Sequence, residues 1–174
     1  MLANISNFEF LKMLFPILGF GTLCGGIIGF ERGRRGSAAG MKTQVFICVG
    51  SAMFTFCSIL LCNESGNGDA GRMIAQIVSG VGFLGAGTIM ARDRIIGLTT
   101  AAIIWVMAAL GVMCGMGYGP AALVITVGMV GAIELMSQIE KRFVQTHTHE
   151  RRENPQLHLA PRNDATDFDR RKSG

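Results

Sequence analysis

Long apolar stretches that contain almost no charged residues run through the 174-residue chain, and they limit the folds that it can adopt. A membrane-spanning helix needs roughly 20 mainly apolar residues, and several of these stretches approach or reach that length. Within lipid a helix satisfies all its backbone hydrogen bonds internally. The sequence therefore predicts an all-α integral membrane protein, a compact glycine-rich bundle of about five transmembrane helices. The predicted helices cover residues 10–30, 43–62, 72–90, 98–117 and 119–137.

The basic residues are clustered, and their clustering predicts the orientation of the bundle. With five spans, the stretches ERGRRGSAAGMK, ARDRIIG and KRFVQTHTHERR all fall on one face. Short loops rich in Lys and Arg stay in the cytoplasm. We therefore expect the N-terminus outside and the C-terminus in the cytoplasm. The first apolar stretch lacks the basic start and the cleavage site of a signal peptide, so we expect the protein to keep it.

Two regions are predicted along the chain: a transmembrane domain at 1–140 and a polar cytoplasmic tail at 141–174. The tail mixes both signs of charge with proline and few apolar residues. Such a segment buries too little surface to offset its ordering entropy, so we expect it to be disordered. His147, His149 and Glu150 are residue types that ligate transition metals, but a solvated tail is the favoured interpretation.

Glycines recur at helical spacing and predict close helix contacts. Small residues four positions apart let two helix backbones approach each other, which is a main source of helix association in lipid. The stretch GVGFLG also matches the G-x-G-x-x-G pattern of nucleotide-binding loops, but it lies inside a predicted helix without a preceding strand. We interpret it as a packing surface. The predicted packing glycines are Gly21, Gly25, Gly29, Gly80, Gly82, Gly85, Gly87, Gly111 and Gly115.

Polar side chains at the helix ends are the candidate functional residues. Charge at the bilayer centre costs about 2.5–3.5 kcal/mol on insertion scales, so such residues mark sites or interfaces. Two interpretations stay open, because Asp69 is also placed to cap the third helix and Glu31 to pair at the interface. The three threonines of the set are similarly placed to cap the second and fourth helices. The set comprises Glu31, Arg32, Lys42, Thr43, Asp69, Arg72, Gln76, Thr99 and Thr100.

The sequence carries no signature of an enzyme. Phosphate-loop, H-E-x-x-H and G-x-S-x-G motifs do not occur, histidine is confined to the tail, and no catalytic residue is predicted. The five cysteines form no C-x-x-C pair and are interpreted as small apolar residues. No metal site is assigned. Asp69, together with nearby Glu64, is a weak candidate because it offers few of the oxygen ligands that magnesium needs. No cofactor is predicted, and magnesium is the one ion left open.

Four blocks of sequence resemble the MgtC/SapB family of bacterial membrane proteins. They are GFER at 29–32, AGMKTQ at 39–44, DAGRMIAQIVSGVGFLGAG at 69–87 and GLTTAA at 97–102, and the resemblance extends over about residues 10–137. It implies a multi-pass protein of the bacterial inner membrane that is linked to magnesium homeostasis, growth at low magnesium and, in pathogens, survival inside host cells.

The resemblance also implies roles for particular residues. Glu31 and Arg32 match the family's G-x-E-R motif, and Lys42 and Thr43 match A-G-L-R-T. Asp69 and Arg72 match D-P-x-R, and the stretch from Gly80 to Gly87 matches the family's glycine core. The chain departs from the family pattern at Met41 and Lys42, at Ala70 in place of proline, and at Ile96 in place of arginine. The polar tail suggests the short SapB-like form without the soluble C-terminal domain.

Two functions follow as hypotheses. The first is a non-enzymatic regulator that binds other inner-membrane proteins through its glycine-rich helix faces. The second is a transporter or channel for magnesium or another small ion. Both place the protein in the lipid bilayer, both leave homo-oligomerisation open, and neither involves nucleic acid.

Overall fold

A computed structural model describes residues 7–65, 68–91 and 95–153, and it confirms the all-α prediction. The helices are α1 (Asn7–Arg34), α2 (Met41–Ser65), α3 (Ala70–Thr88), α4 (Leu98–Gly115) and α5 (Gly119–Glu153). Two short antiparallel strands, β1 (Met90–Ala91) and β2 (Ile95–Ile96), connect α3 to α4. The sequence did not predict this strand pair. Which end of the bundle faces the cytoplasm stays a prediction.

Among the described residues four helices, α1, α2, α4 and α5, are long and apolar enough to cross a membrane. The third helix is not in this group, because its arginine, its glutamine and its glycines lower its hydropathy. It nevertheless runs antiparallel to α2 along most of that helix. Ser58 of α2 donates to the carbonyl oxygen of Ala70 at 3.3 Å, and towards the other end Lys42 of α2 and Leu84 of α3 line the same groove.

The first two helices pack backbone against backbone. A Cβ atom built at Gly25 would lie 2.5 Å from Val45 Cα, and one at Gly29 would lie 2.5 Å from Met41 Cα. Real Cβ atoms do not come this close, so α1 approaches α2 to a distance that only glycine permits. Gly21 continues the contact at ordinary van der Waals distance.

The fourth helix meets α2 in the same way on another side. A Cβ at Gly111 would overlap the carbonyl oxygen of Cys48, and one at Gly115 would overlap the carbonyl oxygen of Ala52. The fourth helix thus runs parallel to α2, which lies at the centre of the glycine contacts. Buried residues between the helices include Ile28, Cys24, Cys114, Ile104, Met107 and Leu110.

Large apolar side chains point outward on all five helices. Phe83 is 83% exposed, Phe46 is 75% exposed and Val124 is 73% exposed. Exposed apolar patches of this extent are unusual for a protein in water. Helices that present them fit association with the hydrocarbon of a bilayer.

All five helices differ from their predicted bounds at one end or both, and α5 differs most. The fifth helix continues to Glu153, well past residue 141, because the charged segment there consists largely of residues that tolerate helix. Among the described residues the chain divides into two compact units, and the second begins at Ile133 and includes the rest of α5 as far as Glu153. Disorder of the tail remains a prediction for residues 154–174, which lie outside the described residues.

The predicted helix caps were wrong at the threonines. Thr43 lies inside the first turn of α2, which begins at Met41. The fourth helix is preceded by Gly97, which has φ of +100° and provides no side-chain cap. Thr99 and Thr100 therefore belong to the helix itself.

Candidate functional site

The third helix leaves a groove against α2, which we call the α2–α3 groove. Its volume is about 780 Å³. Gly50 of α2 and Gly80 of α3 both line it, and a Cβ atom at either position would meet no atom within 4 Å. The groove is open partly because these two positions lack side chains. Its lining is Lys42, Thr43, Phe46, Ile47, Gly50, Ser51, Phe54, Met73, Gln76, Ile77, Gly80, Val81 and Leu84.

A second, more polar groove continues along the start of α3. It has a volume of about 520 Å³, and Asp69, Arg72 and Gln76 are part of its lining. Gln76 also lines the α2–α3 groove, so the two grooves adjoin. Asp69 is the N-cap of α3, where its Oδ1 accepts from the backbone N–H of Gly71 at 2.8 Å. The structural role proposed for Asp69 from the sequence is thus present, and its carboxylate is exposed beside the groove.

A buried polar cluster joins α1, the α1–α2 turn and α4. Arg32, only 9% exposed, donates from Nη2 to Ser37 Oγ at 3.3 Å, and Ser37 Oγ lies 3.0 Å from Thr100 Oγ1. Glu31 pairs with Arg35, which follows the last residue of α1. The cluster ties three parts of the chain together at one end of the bundle.

Several atoms around this cluster have no hydrogen-bond partner among the described residues. They are Glu31 Oε2, Arg32 Nε and Gln44 Oε1. Gln44 is fully buried and uses its amide nitrogen to donate to the carbonyl oxygen of Ala39 at 3.4 Å. Buried polar groups are normally satisfied by protein, water or ligand. These unpaired atoms could be hydrogen-bonded by a few bound waters at this end of the bundle.

The sequence-predicted polar residues fall into three places. Lys42, Thr43 and Gln76 line the α2–α3 groove, while Asp69 and Arg72 line the adjoining polar groove. The third place is the buried cluster, which contains Glu31, Arg32 and Thr100. Thr99 is exposed and lies outside all three.

The glycines of α3 are placed differently from the sequence prediction. Gly85 contacts α4, where its built Cβ would lie 3.6 Å from Ala101 Cβ. Gly80, Gly82 and Gly87 have open space instead, with no atom within 4 Å of a built Cβ. The third helix therefore lies at the edge of the chain, not at its centre, because only its Val81 and Gly85 side is buried.

One exposed side of α3 is lined by small residues, and we call it the α3 small-residue face. It consists of Ala75, Ser79, Gly82 and Ala86, which share one side of the helix and are all exposed. Phe83, beside it, is the most exposed large apolar residue described. This face has the shape that transmembrane helices use to approach one another.

Sequence reasoning missed two residues that the structure makes important. Ser37 links Arg32 to Thr100, a residue 63 positions away, and no local pattern signals such a contact. Gly97 is the first residue of the G-L-T-T block. Its positive φ explains why a glycine stands at this position. In the described ranges no group of three or more His, Cys, Asp or Glu residues is arranged to hold a metal ion.

Span-length apolar helices joined through close glycine contacts define an α-helical, multi-pass membrane protein. The chain matches the MgtC family over residues 18–142 and belongs to that family, as its sequence blocks indicated. It is therefore a multi-pass protein of the bacterial inner membrane.

Individual relatives support this assignment. The chain is 40% identical over 131 residues to "Putative magnesium transporter YhiD" of Escherichia coli K12, covering 71% of this chain and 60% of the relative. It is 45% identical over 115 residues to "Protein MgtC" of Brucella abortus, covering 66% of this chain and 47% of the relative. "Protein MgtC" of Salmonella typhimurium is 40% identical over 124 residues, covering 71% and 52%.

The chain thus spans about half to three fifths of the length of these curated relatives. No solved structure matches it.

Proposed function

We propose that the protein is a non-enzymatic regulator of other inner-membrane proteins, and that a partner's transmembrane helix docks on the α3 small-residue face. The observation that carries the proposal is the open space around Gly82, which no part of the described chain fills. Association of helices in lipid depends on close backbone approach, because lipid tails are as apolar as the side chains. An exposed face of small residues supports such a contact.

The link to magnesium comes from the relatives. One of them is named a putative magnesium transporter, and the family resemblance implies a role in growth at low magnesium. We infer that the regulated partner serves magnesium homeostasis.

Transport of an ion is the second candidate, and one observation favours it. Asp69, Arg72 and Gln76 line a polar groove that adjoins the α2–α3 groove, so a groove extends along most of α3. Two features weigh against a magnesium path. Arg72 places a positive charge at the polar groove, and the lining beyond Gln76 is mainly apolar, whereas Mg²⁺ prefers carboxylate and water oxygens.

Replacing Gly82 with leucine tests the regulator hypothesis. A Cβ built there meets no atom within 4 Å, and Gly82 is exposed, so the variant should fold and insert as the wild type does. It would hold a partner helix away from α3, and we expect growth at low magnesium to fall to the level of a deletion strain. The measurement is growth of that strain carrying wild type or variant, with membrane levels of both quantified by immunoblot.

Gly26→Leu is the matched control, because Gly26 also faces open space but lies on α1. It should support growth as the wild type does. Full growth of the Gly82→Leu strain at an unchanged protein level would show that the α3 small-residue face is not the working surface.

A further inference from the structure

We infer that the α2–α3 groove is a binding site for one anionic phospholipid, with its phosphate at Lys42 and Thr43 and an acyl chain along the apolar part of the groove. This inference does not depend on the partner proposed for the α3 small-residue face. It rests on the distribution of polarity, the length and the width of the groove.

The polarity of the groove matches an amphiphile. Lys42 and Thr43 belong to the first turn of α2, so they lie together at one end, and both are exposed. Beyond them the lining is apolar apart from Ser51 and Gln76. A lysine ammonium and a threonine hydroxyl are both donors for phosphate oxygens.

The charge at this end selects an anionic headgroup over a zwitterionic one. Among the described residues Lys42 forms no ion pair, so its charge is available to a ligand. The last turn of α1 adds the exposed Arg34, which is nearby in sequence. One basic residue near a membrane surface contributes about 1 kcal/mol to the attraction of anionic lipid, a factor of about five in binding.

The length of the groove matches one leaflet. The lining on α2 runs from Lys42 to Phe54, and at about 1.5 Å per residue these 12 steps span about 18 Å. Half of a hydrocarbon core about 30 Å thick is about 15 Å. A headgroup at Lys42 therefore places the acyl chain beside the rest of the groove.

The width of the groove is sufficient for a lipid acyl chain. A volume of about 780 Å³ spread over about 18 Å gives a mean cross-section of about 43 Å². An extended hydrocarbon chain is narrow enough to lie within this cross-section.

Retention of lipid by the purified full-length protein tests the inference. The protein is incubated with mixed vesicles of equal dioleoylphosphatidylglycerol and dioleoylphosphatidylcholine, extracted in mild detergent, and analysed by native mass spectrometry. The wild type should retain one phosphatidylglycerol per chain, with about a fivefold preference over phosphatidylcholine. Lys42→Gln should retain lipid without that preference.

Filling the groove should remove the lipid. Gly80→Leu projects a side chain into the groove from α3, where it meets open space, and Gly50→Leu does the same from α2. Each should lose the retained lipid, and either variant suffices if the other fails to fold. Gly82→Leu, on the same helix but outside the lining, should retain lipid as the wild type does even if it fails to support growth.

Two results would overturn the inference. If the groove-filling and Lys42→Gln variants retain phosphatidylglycerol as the wild type does, the lipid is held elsewhere on the surface. If the wild type retains no lipid but forms a dimer that Gly80→Leu dissociates, a second copy of the chain occupies the groove.

Discussion

Gly111→Ala is expected to lower the melting temperature of the detergent-solubilised protein by more than any conservative change on the outer surface. The added Cβ would overlap the carbonyl oxygen of Cys48 and lie 2.8 Å from Ser51 Cβ. The backbone of α2 cannot rotate away as a flexible side chain does, so α4 must move out as a unit. Overpacking of this kind costs about 1–3 kcal/mol, and loss of the neighbouring contacts of α4 adds to that cost.

Gly26→Ala is the matched control for this prediction. It makes the same chemical change in the helix interior of α1, where the new methyl group meets open space. Alanine favours helix by roughly 0.5–1 kcal/mol over glycine, so this variant should melt at or above the wild-type temperature. The melting temperatures of both variants are measured by heating the solubilised protein and quantifying the folded fraction by size-exclusion chromatography. A Gly111→Ala protein as stable as the Gly26→Ala protein would contradict the close contact of α4 with α2.

Gly97→Ala is the second change expected to have a large effect. Gly97 has φ of +100°, and a Cβ there would overlap the carbonyl oxygen of Thr88. An ordinary residue pays about 1–2 kcal/mol for the left-handed region alone, and the collision with α3 adds to it. We expect the entry to α4 to distort, and the melting temperature to fall accordingly.

Gly36→Ala separates these two costs. Gly36 also has a positive φ, +67°, but nothing lies within 4 Å of its built Cβ. Its substitution should show the conformational cost without the collision, and should therefore lower the melting temperature less than Gly97→Ala does. Equal losses in the two variants would mean that the added Cβ at position 97 does not collide with Thr88, and would contradict the close approach of these two backbones.

The sequence was a good guide to the helices because hydrophobic length is a local property. The G-x-x-x-G spacing of α1 and the glycines of α4 also indicated surfaces of close approach, and the structure places both against α2. Spacing alone does not say which neighbour fills a small-residue face. That is why Gly80, Gly82 and Gly87 of α3, which were predicted as packing glycines, have open space beside them within this chain.

The candidate site was harder to predict because its parts come from distant stretches. The polar residues were identifiable one by one from their positions at helix ends. Their grouping was not, since the contact of Ser37 with Thr100 depends on how α4 packs against the α1–α2 turn. The α2–α3 groove likewise depends on the angle at which α3 leaves α2, which no local pattern specifies.

Flux of Mg²⁺ into proteoliposomes tests the central claim, regulation without transport, most directly. Purified wild type and Asp69→Asn are reconstituted with a magnesium-sensitive dye inside the vesicles, and a magnesium gradient is applied. Asp69 is the described acidic residue that lines the polar groove, so its charge would matter to any cation entering there. The account predicts that both proteins show no more flux than protein-free vesicles. Robust magnesium flux through the wild type that Asp69→Asn abolishes would contradict it.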